Sequence, residues 1–210
     1  AKASQCLMDY SSHEVDFRSI AILCNAFAKL SPETDEVFDR ASKAIQLIFE
    51  VKGSMRLQDI SKICHAFSHR LTYDRERDSA LFGVLFSAAR SEIEKERKRI
   101  LRESNSALPT HKTRCCSSCL LHNADNVGCL PVDLALVLQS LVRSQHNDLE
   151  ILAELKDTIE VLSLNFPQHF DGMSIQVILS AFLQFRVCDD NILTAIARCI
   201  IASEKVSSKP

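Results

Sequence analysis

Two groups of residues in this sequence have types and spacings that suit chemistry. The first is a histidine pair, His65 and His69, whose four-residue separation places both imidazoles on one face of a helix. A zinc-protease helix uses such a pair with a glutamate directly after the first histidine, but Ala66 stands there in this chain. We therefore interpret the pair as core or surface histidines and not as a hydrolytic metal site.

The second group is the cysteine-rich segment "CCSSCLLHNADNVGC" at residues 115–129. Its Cys116, Cys119, His122 and Cys129 follow the ligand order of a zinc knuckle, and thiolate and imidazole ligands on a flexible loop can hold tetrahedral zinc. The histidine is displaced from its position in a knuckle, and Cys115 could take part instead of Cys116. We expect unliganded loop cysteines, and zinc is the one cofactor that the sequence leaves open.

Catalytic machinery of other kinds is not evident from the sequence. No Ser-His-Asp arrangement or glycine-rich phosphate loop is present, and four glycines are too few to build a phosphate cradle easily. We therefore expect a protein that is not an enzyme.

The composition indicates the elements that carry these residues. Of 210 residues, 46% are apolar, while Gly (4) and Pro (5) are scarce, which favours helices. A net charge of −2 does not advertise nucleic-acid binding. Cys24, Cys64, Cys188 and Cys199 fall in helical patterns and predict free thiols in a reducing compartment. The longest apolar runs are far too short for a membrane span.

A sequence pattern recurs along the chain, first as "ILCNAFAKL" at 22–30 and again as "KICHAFSHRL" at 62–71. Four sets of residues share one 3-then-4 apolar spacing, in which a small residue precedes the last large one. The sets are Ile20, Leu23, Ala26 and Phe27; Ile60, Ile63, Ala66 and Phe67; Leu134, Val137, Ser140 and Leu141; Ile175, Ile178, Ala181 and Phe182. The spacing predicts a helix with one apolar stripe in each place.

A second apolar helix follows each of the four, with an aspartate near its start: Asp35, Asp78, Asp148 and Asp189. Equivalent positions lie 40, 74 and 41 residues apart. We predict an all-α fold, an α-solenoid of about four helix–turn–helix repeats with a period of about 37–41 residues and an insert after the second repeat. An ordinary helical bundle is the alternative. The predicted parts are a tail (1–13), a first repeat pair with an extended basic helix (14–103), a Cys-rich insert (104–130), a second repeat pair (131–204) and a tail (205–210).

The repeats resemble the heptatricopeptide and octotricopeptide repeats of organellar RNA-binding proteins, such as FAST-kinase-like proteins and RAP-domain proteins. "LCNAFAKL" and "ICHAFSHRL" carry the resemblance, which covers about 14–89 and 131–204, although "LVLQSLVRS" in the third unit is degenerate and no RAP-like domain is present. The resemblance implies a protein of the mitochondrial matrix, or alternatively of a plastid, that holds RNA along one face. Such repeat proteins are also built into divergent mitochondrial ribosomes.

Two sets of polar residues are candidates for RNA contact. When the four repeats are aligned on their small residue, the residue directly before it and the residue four positions after that one lie on the same helix face. Stacked repeats would therefore arrange these residues in a row, which we call the ladder. The ladder residues are Asn25, Lys29, His65, His69, Gln139, Arg143, Ser180 and Gln184. The alternative is the ordinary polar outer face that every solenoid has.

The second set is a basic strip: Lys95, Arg97, Lys98, Arg99 and Arg102. Between Arg90 and Arg114 there are eight basic and four acidic residues, which suits phosphate contact. The alternative is a solvated helix laced by ion pairs such as Glu94–Lys98.

These observations predict a non-catalytic subunit of an organellar ribonucleoprotein, most simply a mitochondrial ribosome, that contacts ribosomal RNA and neighbouring proteins. A protein-only helical-repeat scaffold and a free organellar RNA-processing factor are the two alternatives.

Overall fold

A computed structural model describes residues 16–30, 35–69, 75–106 and 130–207 of the chain, and these residues form an all-α structure without strands. Eight α-helices account for most of the described residues, and a short 3₁₀ turn at Pro167–His169 precedes the seventh. The helices are α1 (Phe17–Leu30), α2 (Asp35–Lys52), α3 (Leu57–His69), α4 (Arg75–Ser106), α5 (Leu130–Ser144), α6 (Leu149–Asn165), α7 (Gly172–Gln184) and α8 (Asp190–Ser207).

The helices pair into four successive hairpins, α1–α2, α3–α4, α5–α6 and α7–α8, which stack in two layers. In the first layer α1, α3, α5 and α7 lie side by side in chain order, and each packs most extensively on its neighbours in that row. In the second layer α4, α6 and α8 do the same, while α2 packs mainly on α1 and less on α4. The predicted all-α solenoid is therefore confirmed.

The repeated apolar positions form the seams between hairpins. Phe67, Leu141 and Phe182 are each completely buried, on three successive first-layer helices. Phe67 also meets Phe38 of the preceding hairpin edge to face, with ring centroids 4.9 Å apart. The matching Phe27 of the first hairpin is only partly buried. Because one hairpin alone cannot cover both sides of its apolar helices, stacking supplies the missing cover.

Identical turns close the first-layer helices of the last two hairpins. Gln145 and Arg186 both take the left-handed backbone conformation, with φ of 51° and 57°. The amide after each, at His146 and Val187, donates to a helix carbonyl five residues earlier, in both cases at 3.1 Å. This is the hydrogen bond that ends a helix in a Schellman motif. The two turns lie 41 residues apart, which is the offset that the apolar pattern predicts.

Aspartates begin several helices, as the sequence pattern predicts. The Asp148 carboxylate accepts hydrogen bonds from the amides of Glu150 and Ile151, and Asp189 accepts one from the amide of Ile192 at 3.1 Å. Such caps satisfy amides that have no partner inside the helix. Asp78 lies instead within the first turn of α4, which begins three residues earlier at Arg75. The aspartate pattern therefore predicts where these helices begin to within one helical turn.

Candidate nucleic-acid interface

The ladder residues predicted from the sequence lie on four adjacent first-layer helices. Lys29 on α1 and Arg143 on α5 are exposed, and the half-buried His65 and His69 lie between them on α3. Gln139 precedes Arg143 by one turn on α5 and is also half-buried. At the two ends of the row are Asn25 on α1, half-buried, and Ser180 and Gln184 on α7, both exposed. The stacking of the hairpins thus brings residues more than 150 positions apart in sequence onto one surface.

The two histidines form the centre of this surface. Their ring centroids are 4.0 Å apart with the planes tilted by 45°, and Gln139 lines the same cavity as both rings. One nitrogen of each ring, Nδ1 of His65 and Nε2 of His69, is buried without a hydrogen-bond partner among the described residues. Burial, together with the nearby His69, Arg143 and Lys29, lowers the pKa of His65 to about 4. Both imidazoles are therefore neutral at pH 7, in a positive local field.

Two adjoining cavities open beside the histidines. A cavity of about 320 Å³ is bounded by the two rings and by an apolar wall that includes Val132, Leu136 and Met173. A second cavity of about 460 Å³ lies further along the row and is more polar, with Arg143 and Gln184 on its rim. Gln139, Met173 and Val177 border both, so the two form one groove across α3, α5 and α7.

The apolar wall and Gln176 were not singled out from the sequence, although both border this groove. A signal for them exists. Val132 and Met173 occupy the same repeat position, 41 residues apart, and both are exposed despite being apolar. Gln176 lies one helical turn before Ser180, on the ladder side of α7.

The basic strip on α4 differs from the ladder because its cations have acidic partners. Lys95 lies 2.5 Å from Glu92, Lys98 lies 2.5 Å from Glu94, and Arg99 lies 2.6 Å from Glu96. The Glu94–Lys98 pair confirms the ion-pair interpretation at that point. Cations held by carboxylates on their own helix offer little uncompensated charge to a phosphate.

Arg97 points in a different direction from its neighbours on α4. Its guanidinium lies 2.9 Å from Glu154 and 3.0 Å from Asp157, both on α6, and its side chain is largely buried. Arg90, two turns before Arg97 on α4, pairs with Glu150, which also lies on α6. These residues join two hairpins of the second layer, which assigns Arg97 a role in stacking. Arg102 is exposed near the end of α4.

The ladder cations show no such compensation. Among the described residues, neither Lys29 nor Arg143 takes part in an ion pair, and the ring pair between them is neutral. The hairpins here are held instead by buried polar contacts beneath the ladder. Ser61 donates to Asp133 at 2.6 Å across the α3–α5 seam, and Ser68 lies 3.4 Å from Ser140 one heptad further along. Burial raises the pKa of Asp133 above its ordinary value, while the hydrogen bond from Ser61 opposes that rise.

The weak zinc candidate, Cys116, Cys119, His122 and Cys129, lies outside the described residues. Within the described ranges, no cluster of three or more His, Cys, Asp or Glu side chains could hold a metal ion. Cys24, Cys64 and Cys199 are buried in their helices and form no disulfide. Cys188 is free and half-buried, but it lies in the turn before α8, which corrects its predicted position inside a helix.

None of the helices described is both long enough and apolar enough to cross a bilayer. Comparison with known protein families, curated proteins and solved structures finds no match to this chain.

Proposed function

We propose that this protein is a non-catalytic helical-repeat subunit of an organellar ribonucleoprotein, a mitochondrial ribosome, and that its first-layer ladder contacts ribosomal RNA. The observation that carries the proposal is the row formed by Lys29, the neutral His65–His69 pair and Arg143 across three successive helices. Lys29 and Arg143 have no ion-pair partner among the described residues, and the groove beside them offers neutral hydrogen-bonding groups and one carboxylate, that of Asp171. Positive charge beside such groups suits a polyanion with bases.

The chemistry of the groove suits single-stranded RNA. Phosphate contacts position an RNA chain, whereas amides and neutral imidazoles can exchange hydrogen bonds with base edges. Gln139 and the histidine rings offer such groups directly beside Arg143. The exposed sulfur and methyl groups of Met173 and Val132 add an apolar wall against which a base can lie. The net charge of −2 is consistent with a short contact and does not favour a long electrostatic track.

The test is binding of the purified chain to single-stranded RNA as a function of salt. The ladder variant carries Lys29→Ala and Arg143→Ala. The matched control carries Lys95→Ala and Lys98→Ala, which remove the same charge from α4, where both lysines have glutamate partners. We expect the ladder variant to flatten the plot of log affinity against log salt by about 1.4, the value for two lost phosphate contacts on a single strand.

The control variant should keep most of the wild-type slope. Equal slopes for the two variants would contradict a ladder contact, and a loss of binding in the α4 variant alone would move the RNA site to the basic strip. Absence of RNA binding by the wild type even at low salt would overturn the proposal.

Whether this protein belongs to a ribosome is tested by the sedimentation of the native particle that contains it. An endogenously tagged chain should co-sediment with a ribosomal subunit of the mitochondrial matrix and remain there at moderate salt. Sedimentation with a small RNA-containing particle would identify a free RNA-processing factor instead, and fractionation with plastids would identify the alternative organelle.

A protein-only scaffold is the second candidate, and one observation favours it. The groove beside the histidines has an apolar wall, and an amphipathic partner helix docks in such a groove through spaced apolar side chains. This candidate predicts a particle without RNA and an array whose binding does not depend on Lys29 or Arg143.

A further inference from the structure

The outer side of the last described hairpin repeats the chemistry of an internal seam. Lys156 of α6 forms an ion pair with Asp189, which directly precedes α8, so this side of α6 faces α8. Leu152 and Ile159 lie on the same side of α6. Leu152 is 2% exposed and Ile159 is 1% exposed, on a helix that packs against α8. A second-layer helix therefore buries two large apolar side chains, seven residues apart, against the next hairpin.

The corresponding residues of α8 are uncovered. Leu193 and Ile200 lie 41 residues after Leu152 and Ile159, and they are 48% and 42% exposed. Ile201 and, on α7, Leu183 are exposed as well. In stacked repeats, apolar side chains at such positions are normally covered by a neighbouring repeat. We call these four residues the tail face.

The first described hairpin shows the reciprocal feature. Ile63, Ala66 and Phe67 are fully buried on α3, which packs against α1, and Phe67 also contacts Phe38 of the preceding hairpin. Their equivalents forty residues earlier are Leu23, which is half-buried, Ala26, which is exposed, and Phe27, which is half-buried. Ile22, on the same side of α1 as Ala26, is 60% exposed. We call Ile22, Leu23, Ala26 and Phe27 the head face.

We propose that the tail face of one molecule binds the head face of a second copy, so that the hairpins continue head to tail between molecules. The two faces continue the internal seams. Leu193 and Ile200 repeat the positions of two buried residues of α6, and Leu23, Ala26 and Phe27 repeat the positions of three buried residues of α3. A contact of this kind is heterologous, because each molecule uses two different surfaces.

Such stacking would place Gln184 of one molecule beside Asn25 and Lys29 of the next, since these residues occupy equivalent positions on first-layer helices. The ladder would then run on from copy to copy. The proposal does not depend on RNA, so it is tested with the protein alone and its failure leaves the proposed function untouched.

The experiment is sedimentation velocity of the full chain from micromolar to near-millimolar concentration. The head variant is Ile22→Glu and the tail variant is Ile200→Glu, both at exposed positions, so that folding should be retained and can be checked by circular dichroism. Leu164→Glu is the matched control, since Leu164 is 62% exposed on the solvent side of α6 and belongs to neither face.

We expect the wild type and the Leu164→Glu control to form dimers and larger species as concentration rises. A buried glutamate should weaken the seam about tenfold or more, so each face variant alone should be monomeric. A mixture of the head and tail variants should form dimers and nothing larger, because one variant keeps a functional tail and the other a functional head.

Three results would overturn the proposal. A wild type that is monomeric throughout the concentration range excludes a second copy as the occupant and leaves a helical hairpin of another protein. A head variant that dimerises by itself indicates a symmetric tail-to-tail contact. A mixture of the two variants that stays monomeric shows that the two faces do not bind each other.

Discussion

Acidification should destabilise this protein through His65, and the size of the effect follows from the position of that ring. The unfolded chain protonates the imidazole near its ordinary value of 6.5, whereas burial and the cations around it hold the pKa of His65 in the folded protein at about 4. Between these values the unfolded state binds more protons than the folded state. Stability is therefore lost as the pH falls from 6.5 towards 4.

The full difference between the two values corresponds to about 3.4 kcal/mol, at about 1.36 kcal/mol per unit of pH. Part of the ring surface reaches solvent, which screens the interaction, so we expect a loss of about 1–2 kcal/mol from His65. The assay is urea unfolding of the wild type and of His65→Gln across this pH range. Glutamine keeps a polar side chain at the site but cannot take up a proton.

The free energy of unfolding of His65→Gln should improve relative to the wild type by about 1–2 kcal/mol as the pH falls. Asp133→Asn supplies a control of opposite sign. Burial raises the pKa of Asp133, so the wild type should gain stability relative to that variant on acidification. Parallel pH curves for the wild type and His65→Gln would refute the burial of His65 between charged neighbours on the α3–α5 surface.

Three further predictions test the packing of the hairpins. Phe67→Ala should lower the free energy of unfolding by about 3–5 kcal/mol, and Phe27→Ala by clearly less because Phe27 is only partly buried. Equal losses in urea unfolding would contradict the seam assignment. Arg97→Ala should lower the free energy of unfolding by about 1 kcal/mol, because it removes a link between α4 and α6. Lys98→Ala should change that free energy by no more than about 0.5 kcal/mol, and urea unfolding measures both. A thiol reagent should modify Cys188 before the buried cysteines of α1, α3 and α8, and peptide mass mapping measures the order. Simultaneous modification would indicate that the whole fold opens before any of these thiols reacts.

The hairpin architecture could be predicted because its signals are local and repeated. The apolar spacing, the small residue before Phe67 and the aspartates before the second helices all act within a few residues of one another. The same periodicity predicted that Lys29, His65 and Arg143 would share a surface. Predicting this required only that equivalent positions of stacked repeats lie side by side.

The long-range contacts could not be predicted in this way. Arg97 and Lys98 are neighbouring basic residues on one helix, and the sequence does not distinguish them. Only the packing of α4 against α6 brings Arg97 to Glu154 and leaves Lys98 at the solvent-exposed surface. The Ser61–Asp133 bond joins residues 72 positions apart. Cys188 was misplaced because the left-handed turn at Arg186 ends the helix earlier than the apolar pattern does.

The most direct test of the central claim is ultraviolet crosslinking of the native particle followed by mass mapping of the crosslinked peptides. We expect RNA adducts on peptides of α3, α5 and α7 that border the groove, including the segment that contains His65 and the one that contains Gln139. Adducts confined to α4, or a particle that contains this chain without any adduct on the first layer, would contradict this expectation.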